Sequence, residues 1–273
     1  MRIIADTHAH WYDTYASEVF LRHALSNLRA RAAEVAANGT AADWRGVLCL
    51  AERAGESRFA ALRAGRGIPP GFRVEPLAEP AAVRIGDKSG AALWLVAGRQ
   101  IVPRERIEVL ALGADPDIPD GETLADTLAA VRAGGAWPAI AWAPGKWWFG
   151  RGRLLRALLA RSAPSEFALG DSPMRPVGWP EPRLMTLARA RGFRVVAGSD
   201  PLPPPGEERQ AARYVCAFDA PFDDTRPASS LRAALASGRP PRLVGRRGTW
   251  RETWHRWQAH RRWTRGAERS TPP

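Results

Sequence analysis

Hydrophobic and polar positions follow a strand–helix rhythm from the first residues of the chain. Residues 2–6 read as a buried strand that runs into Thr7-His8-Ala9-His10. Side chains on a strand repeat every two residues, so an extended 2–10 segment turns Asp6, His8 and His10 to one face. A helix is predicted from Thr14 or Ser17 to about residue 37. Its apolar face is Leu21, Leu25, Leu28, Ala32 and Val35, and Asn38-Gly39 stops it. His23 falls on the polar face of that helix. Residues 46–50 form a second strand, with Glu52 and Arg53 just beyond its end, and 57–64 a short helix.

The rhythm then changes. Residues 72–77, 81–85, 91–96 and 107–112 are extended runs with little helix between them, and Asp87-Lys88-Ser89-Gly90 is a hairpin-like turn. This predicts an antiparallel excursion after the third strand. Helix 123–133 follows, and strand–helix alternation resumes: strands at 138–142, 167–169, 193–197 and 215–218, helices at 151–161, 181–191, 207–214 and 228–236. Repeated units of this length argue for a parallel sheet with helices outside. A single α/β barrel of about 250 residues fits the length of 273. The expected division is a barrel domain over 1–245 and a basic, Trp-rich tail over 246–273.

Composition adds limits. No apolar run reaches the roughly 18 residues of a membrane span, and the first 20 residues carry Asp6, Asp13 and Glu18 in place of a secretory leader. Cys49 and Cys216 sit inside predicted strands and read as small buried hydrophobes in a reducing cytosol, so a cytoplasmic location is expected. The net charge of +12 invites a nucleic-acid reading, but nearly all of it is Arg, with Lys88 and Lys146 the two lysines. That is a bias of the whole chain rather than a patch, so nucleic acid is not the favoured partner.

Chemistry enters with the acids. Asp6, His8 and His10 end the first strand, Glu52 the second, Glu79 the third, and Asp171 and Asp200 two later ones. Where strand ends converge, gathered carboxylates repel unless a cation neutralises them. Imidazole with carboxylate suits Zn, Mn or Fe.

In this order the segments resemble the polymerase and histidinol phosphatase (PHP) superfamily of metal-dependent phosphoesterases. IIADTHAH looks like that family's Asp-x-His-x-His strand. VLCLAER is similar to its second strand and VEPLAEPAAV to the third, which ends on a metal-binding Glu. RIEVLALG, AIAWAPGKW and VVAGSDP resemble later strands, so the likeness spans about residues 1–215. It departs from the family where Arg53 and Ala143 replace histidines and where Pro201-Leu202 follow Asp200 with no His. The resemblance implies a distorted TIM-like (β/α)7–8 barrel of the PHP type. It also implies one or two divalent metals on His8, His10, Glu79, Asp171 and Asp200. Asp6 and Glu52 stand behind these ligands, with Asp6 orienting a histidine.

The function this implies is a metal-dependent hydrolase, a phosphoesterase on a small phosphorylated or nucleotide-like substrate. Asp200 or Asp171 is the candidate general base. Arg53, Lys146 and Arg175 are the candidate partners of an anionic substrate. The lost histidines keep open a second role, a barrel without turnover that binds or regulates. Residues 249–263 read as a basic amphipathic helix with Trp250, Trp254, Trp257 and Arg261 on one stripe. The stripe is expected to pack on the barrel; an anionic membrane surface, nucleic acid and an acidic partner are the other readings. Residues 267–273 are expected to be disordered.

Overall fold

The computed structural model describes residues 1–36 and 43–270, the last four through their backbone only. The expected Asn38-Gly39 helix stop lies outside those residues. In chain order the elements begin β1 (Arg2–Ala9), α1 (Ser17–Ala36), β2 (Trp44–Leu50), α2 (Arg58–Arg63), β3 (Phe72–Pro76), β4 (Ala82–Asp87), β5 (Ala92–Val96), β6 (Gly98–Ile101) and β7 (Val109–Leu112). They continue with α3 (Leu124–Ala133), β8 (Trp137–Ala141), α4 (Phe149–Arg161), β9 (Ala168–Asp171), α5 (Arg183–Ala190) and β10 (Val195–Ala197). A 3-10 turn (Glu207–Gln210), β11 (Tyr214–Asp219), α6 (Pro227–Ala236), β12 (Arg242–Gly245) and α7 (Trp250–Ser270) complete the chain.

The expected barrel is not formed. Among the described residues the strands make two open sheets, of seven strands in the order β12-β11-β1-β2-β5-β4-β3 and of five in the order β10-β9-β8-β7-β6. The reason lies at the edge of β1. A closed parallel barrel would pair β1 with β10, but β11 takes that edge antiparallel, from Arg2 against Asp219 to Ala5 against Cys216. Three-residue β10 pairs with β9 alone. Further reversed strands come from the excursion: β3-β4-β5 is an antiparallel meander, and β7 is antiparallel to both β6 and β8. The β4–β5 turn is closed by Asp87, whose carboxylate accepts from the Ser89 and Ala91 N–H groups, with Gly90 at φ 85°.

The sheets nevertheless meet. An isolated parallel bridge pairs Glu52 with Arg99. At the other edge the Asp200 N–H donates to the His8 carbonyl at 2.8 Å. Between the sheets lies an apolar layer drawn from both, including Ile3, Ala5, Val47, Leu110, Ala139 and Val196. Ile4, one residue out of step, joins α1 on the outer face of the larger sheet, as a period of two requires. Cys49 and Cys216 are buried free thiols, and burial pushes both up to about 12. No helix among the described residues is long and apolar enough to cross a membrane.

Helix α7 departs from expectation in two ways. Its backbone stays helical through Ser270, past the point where disorder was expected. Its aromatic stripe also faces outward: Trp250, Trp254 and Trp257 are 57, 54 and 37 % exposed. The docked face is the neighbouring stripe of Thr253, Arg256 and His260, three and four residues apart. Arg256 decides this orientation, because its guanidinium is buried against the Glu207 carboxylate at 2.6 Å. A desolvated, hydrogen-bonded ion pair dictates orientation more sharply than aromatic area does.

Candidate metal centre

Three side chains converge where the two sheets meet. The His8 and His10 Nε2 atoms lie 3.0 Å apart. Asp200 Oδ1 is 3.7 Å from the first and 3.9 Å from the second. Four-coordinate metals with bonds near 2.1 Å hold their ligand atoms about 3.4 Å apart, so the three atoms sit as neighbouring ligands would. The imidazoles and the carboxylate are 7, 3 and 16 % exposed.

Local structure explains the convergence. β1 pairs Asp6 with Leu48 but Ala9 with Leu50, so one extra residue bulges from β1 between them. The bulge separates Asp6 from the imidazoles, which the period of two alone would have kept in line. His8 and His10 still share a side, with ring centroids 4.9 Å apart. Asp200 enters from the opposite sheet in a left-handed turn at φ 43°, a conformation that Asp tolerates better than most residues. Its Oδ2 accepts from Ser172 Oγ at 3.0 Å, and its carbonyl from Arg256 at 3.1 Å.

The electrostatics suit a cation. Burial and the neighbouring His8 pull the His10 pKa down to about 3, which leaves the ring neutral, as a ligand must be. Burial alone would raise the Asp200 carboxyl, but His8, the Arg256 guanidinium and the Ser172 hydroxyl outweigh it and hold it below the ordinary range. Two buried imidazole nitrogens aimed at one point, with an anionic oxygen beside them, fit a divalent ion. His10 Nδ1 has no hydrogen-bond partner among the described residues, so a metal on Nε2 would leave the Nδ1–H unpaired.

The other sequence-predicted residues are engaged elsewhere. Asp6 accepts from the His8, Ser199 and Ala212 N–H groups at 3.1, 2.9 and 2.8 Å and from the Ser199 hydroxyl. It positions the His8 backbone and ties the sheets together, rather than orienting a ring as expected. Burial pushes its carboxyl up, against those hydrogen bonds. Glu79 caps α6, accepting from the Ala228 and Ser229 N–H groups at 2.7 and 2.9 Å. Asp171 is buried on Arg175 at 2.9 Å and the Tyr214 hydroxyl at 3.0 Å, which occupies both Asp171 and Arg175. Glu52 accepts from the Phe59 N–H at the start of α2. Lys146 pairs with Glu108. Arg53 pairs with Glu56 and lies 4.6 Å over the Tyr12 ring, which itself stacks on His10 at 5.2 Å. A cleft of about 250 Å³ lined by Trp11, Tyr12, Glu56 and Arg58 opens beside that stack.

Two neighbours of the centre were not anticipated. Gln100 brings its amide oxygen to 3.1 Å from His8 Nε2. Its signal is faint, since a neutral amide in an antiparallel strand has no metal-ligand spacing. His260 lies one turn beyond Arg256 on the docked face of α7, where burial weighs most on its ring and the charges of Asp200 and Glu207 oppose it. The i, i+4 spacing of Arg256 and His260 was its one visible sign.

No protein-family model matches the chain, and no curated protein matches it in sequence. Among solved structures the fold is similar to PsfC from Pseudomonas syringae PB-5123, with a TM-score of 0.57 at 15% identity over 94% of this chain and 96% of that one. The lesion-specific endonuclease PfuEndoQ from Pyrococcus furiosus gives a TM-score of 0.47 at 10% identity, over 89% of this chain and 58% of its own. Endonuclease Q in complex with a 27-mer duplex substrate carrying an abasic lesion gives 0.48 at 10% identity. The PsfC likeness speaks to the fold alone.

Proposed function

We propose that this chain is a metal-dependent hydrolase, a phosphoesterase acting on a small phosphorylated or nucleotide-like substrate. The observation that carries this reading is the convergence of His8 Nε2, His10 Nε2 and Asp200 Oδ1 within 3.0–3.9 Å in a buried setting. The PHP resemblance of the segments that bear these residues agrees with it. One metal is favoured over two, because Glu79 and Asp171 are committed to α6 and Arg175. The donor set of two imidazoles and a carboxylate suits Zn, Mn or Fe, with the Gln100 oxygen at hand as a further hard donor. Such an ion, when bound, supplies Lewis acidity toward a phosphoryl oxygen and lowers the pKa of water.

The chain's own residues do the rest. His8, His10 and Asp200 hold the ion. Ser172 fixes the Asp200 oxygen that faces away from the imidazoles, which makes Asp200 a ligand rather than a free base. Arg53, beside His10 across the Tyr12 ring, offers positive charge to a phosphoryl group.

The test is metal content by mass spectrometry on protein purified without chelator, beside a His8→Ala/His10→Ala double variant. About one equivalent in the wild type and none in the variant is expected, with phosphoester turnover in the wild type alone. A wild type that takes up no Zn, Mn or Fe even on reconstitution would end this reading. Bound metal without turnover across phosphomonoesters and phosphodiesters would turn it into a binding module.

A further inference from the structure

The metal ligands are reached from one side by α7, and the manner of its attachment is informative. Its first turn is tied to the loop after β9: the Val177 N–H donates to the Gly248 carbonyl at 2.8 Å, and Trp250 stacks on Trp179 at 5.1 Å. One turn further, Arg256 is buried between Glu207 and the backbone carbonyl of Asp200 itself. A further turn on, on the same stripe, is His260. Its Nδ1 is buried and has no hydrogen-bond partner among the described residues. Asp200 and Arg53, which flank the imidazole pair, both act on its ring.

A buried ring nitrogen without a partner is costly unless something arrives to satisfy it. His260 is not one of the three converging ligand residues.

We propose that α7 is a wall of the active site and that His260 is a substrate-binding residue, donating a ring N–H to a phosphoryl oxygen of a small anionic substrate. This rests on the metal-dependent reading above and narrows it. The helix is locked beside Asp200 by a buried ion pair. Arg53 supplies charge and His260 a directional hydrogen bond. The step is recognition alone, with no bond made or broken.

The experiment is titration of the metal-loaded full chain with inorganic phosphate by calorimetry, comparing wild type, His260→Ala and His260→Gln. Each protein is first assayed for metal by mass spectrometry. The expected result is unchanged metal content in all three, phosphate binding about tenfold weaker in His260→Ala, and partial recovery in His260→Gln, whose amide can still donate. A second measurement needs no variant: in 15N-histidine-labelled wild type, phosphate should shift the His260 ring signal. Equal phosphate affinity in wild type and His260→Ala, or a ring signal that phosphate leaves in place, would overturn the proposal. So would loss of metal in His260→Ala, which would make the residue a ligand. A wild type that holds metal but ignores phosphate would refute this inference while leaving the metal centre standing. A wild type without metal would remove the reading on which it rests.

Discussion

At the scale of single residues, the candidate metal centre depends as much on what is missing as on what is present. Gly198 precedes Ser199 and Asp200, and its Cα is pressed against the His8 backbone. A Cβ there would lie 2.3 Å from His8 Cβ, 2.4 Å from His8 N and 2.7 Å from His8 Cα. Backbone cannot swing aside as a side chain can, so the strands would have to part. Gly198→Ala should therefore cost about 1–3 kcal/mol in a urea unfolding series, and it should lower metal occupancy by moving His8 away from Asp200. A variant with the wild-type midpoint and full metal content would show that the approach is not tight in solution. At this scale the sequence was half readable. His8 and His10 stood out because two of five histidines fall two apart at a strand end, and Asp200 because acids recur at such ends. Glu79 and Asp171 shared that pattern, but a carboxylate at a strand end meets helix N-termini and arginines as readily as metals. Nothing in their local sequence distinguished a cap on α6 or a partner for Arg175 from a ligand.

At the scale of elements, periodicity identified most helices and strands to within a few residues but not the partners they chose. Strand β6 escaped notice because Gly98-Arg99-Gln100-Ile101 is too short and polar to stand out. The direction of β11 was likewise invisible, since strands of either sense share one side-chain period. Helix α7 shows the same limit: its most conspicuous stripe, the tryptophans, faces outward, while a less visible stripe docks. Its start was signalled more clearly than the prediction used. Thr249-Trp250-Arg251-Glu252 is a capping box, in which the Glu252 N–H donates to Thr249 Oγ1 at 3.2 Å and the Thr249 N–H to Glu252 Oε2 at 2.7 Å. That backbone N–H, with Arg213, pulls the Glu252 pKa down to about 2. A carboxyl held below its unfolded value near 4.5 stabilises the fold above that value and loses the contribution as pH falls toward 2. Glu252→Gln should thus loosen α7 by about 0.5–1 kcal/mol at neutral pH, a modest figure because the group is partly exposed. The difference would appear as roughly two- to fivefold faster amide exchange in the first turns of α7. The gap between variant and wild type should close between pH 4.5 and 2. Equal exchange at pH 7, or a gap that survives at pH 2, would show that the Glu252 charge does not hold the helix.

At the scale of the whole molecule, the centre sits on a seam. His8 and His10 belong to β1 and the residue after it, in the seven-stranded sheet, whereas Asp200 follows β10, in the five-stranded one. No strand ladder joins β1 to β10, since β11 occupies that edge. The seam is held instead by the Asp6 carboxylate gripping Ser199 and Ala212, by the Asp200 N–H on the His8 carbonyl, and by the Arg256 clasp from α7. An ion shared by His8, His10 and Asp200 would add a bond across the same gap, and it binds only where the sheets are correctly opposed. Folding and metal binding are then linked: ligand at a hundredfold excess over its dissociation constant stabilises the native state by about 2.7 kcal/mol. For a chain of this size that corresponds to roughly 5 °C or more in melting temperature. The metal-loaded wild type should therefore melt about that much higher than the same protein stripped with chelator, and re-addition of the ion should restore the difference. The His8→Ala/His10→Ala variant should melt at one temperature with or without chelator. If wild type proven to hold an equivalent of metal melts identically after stripping, the ion does not bridge the sheets and the seam rests on the protein's own contacts. If the shift appears and is absent from the double variant, the opening strand and the loop after β10 are coupled through the ion. The two-sheet architecture would then be what makes the centre selective for the folded state.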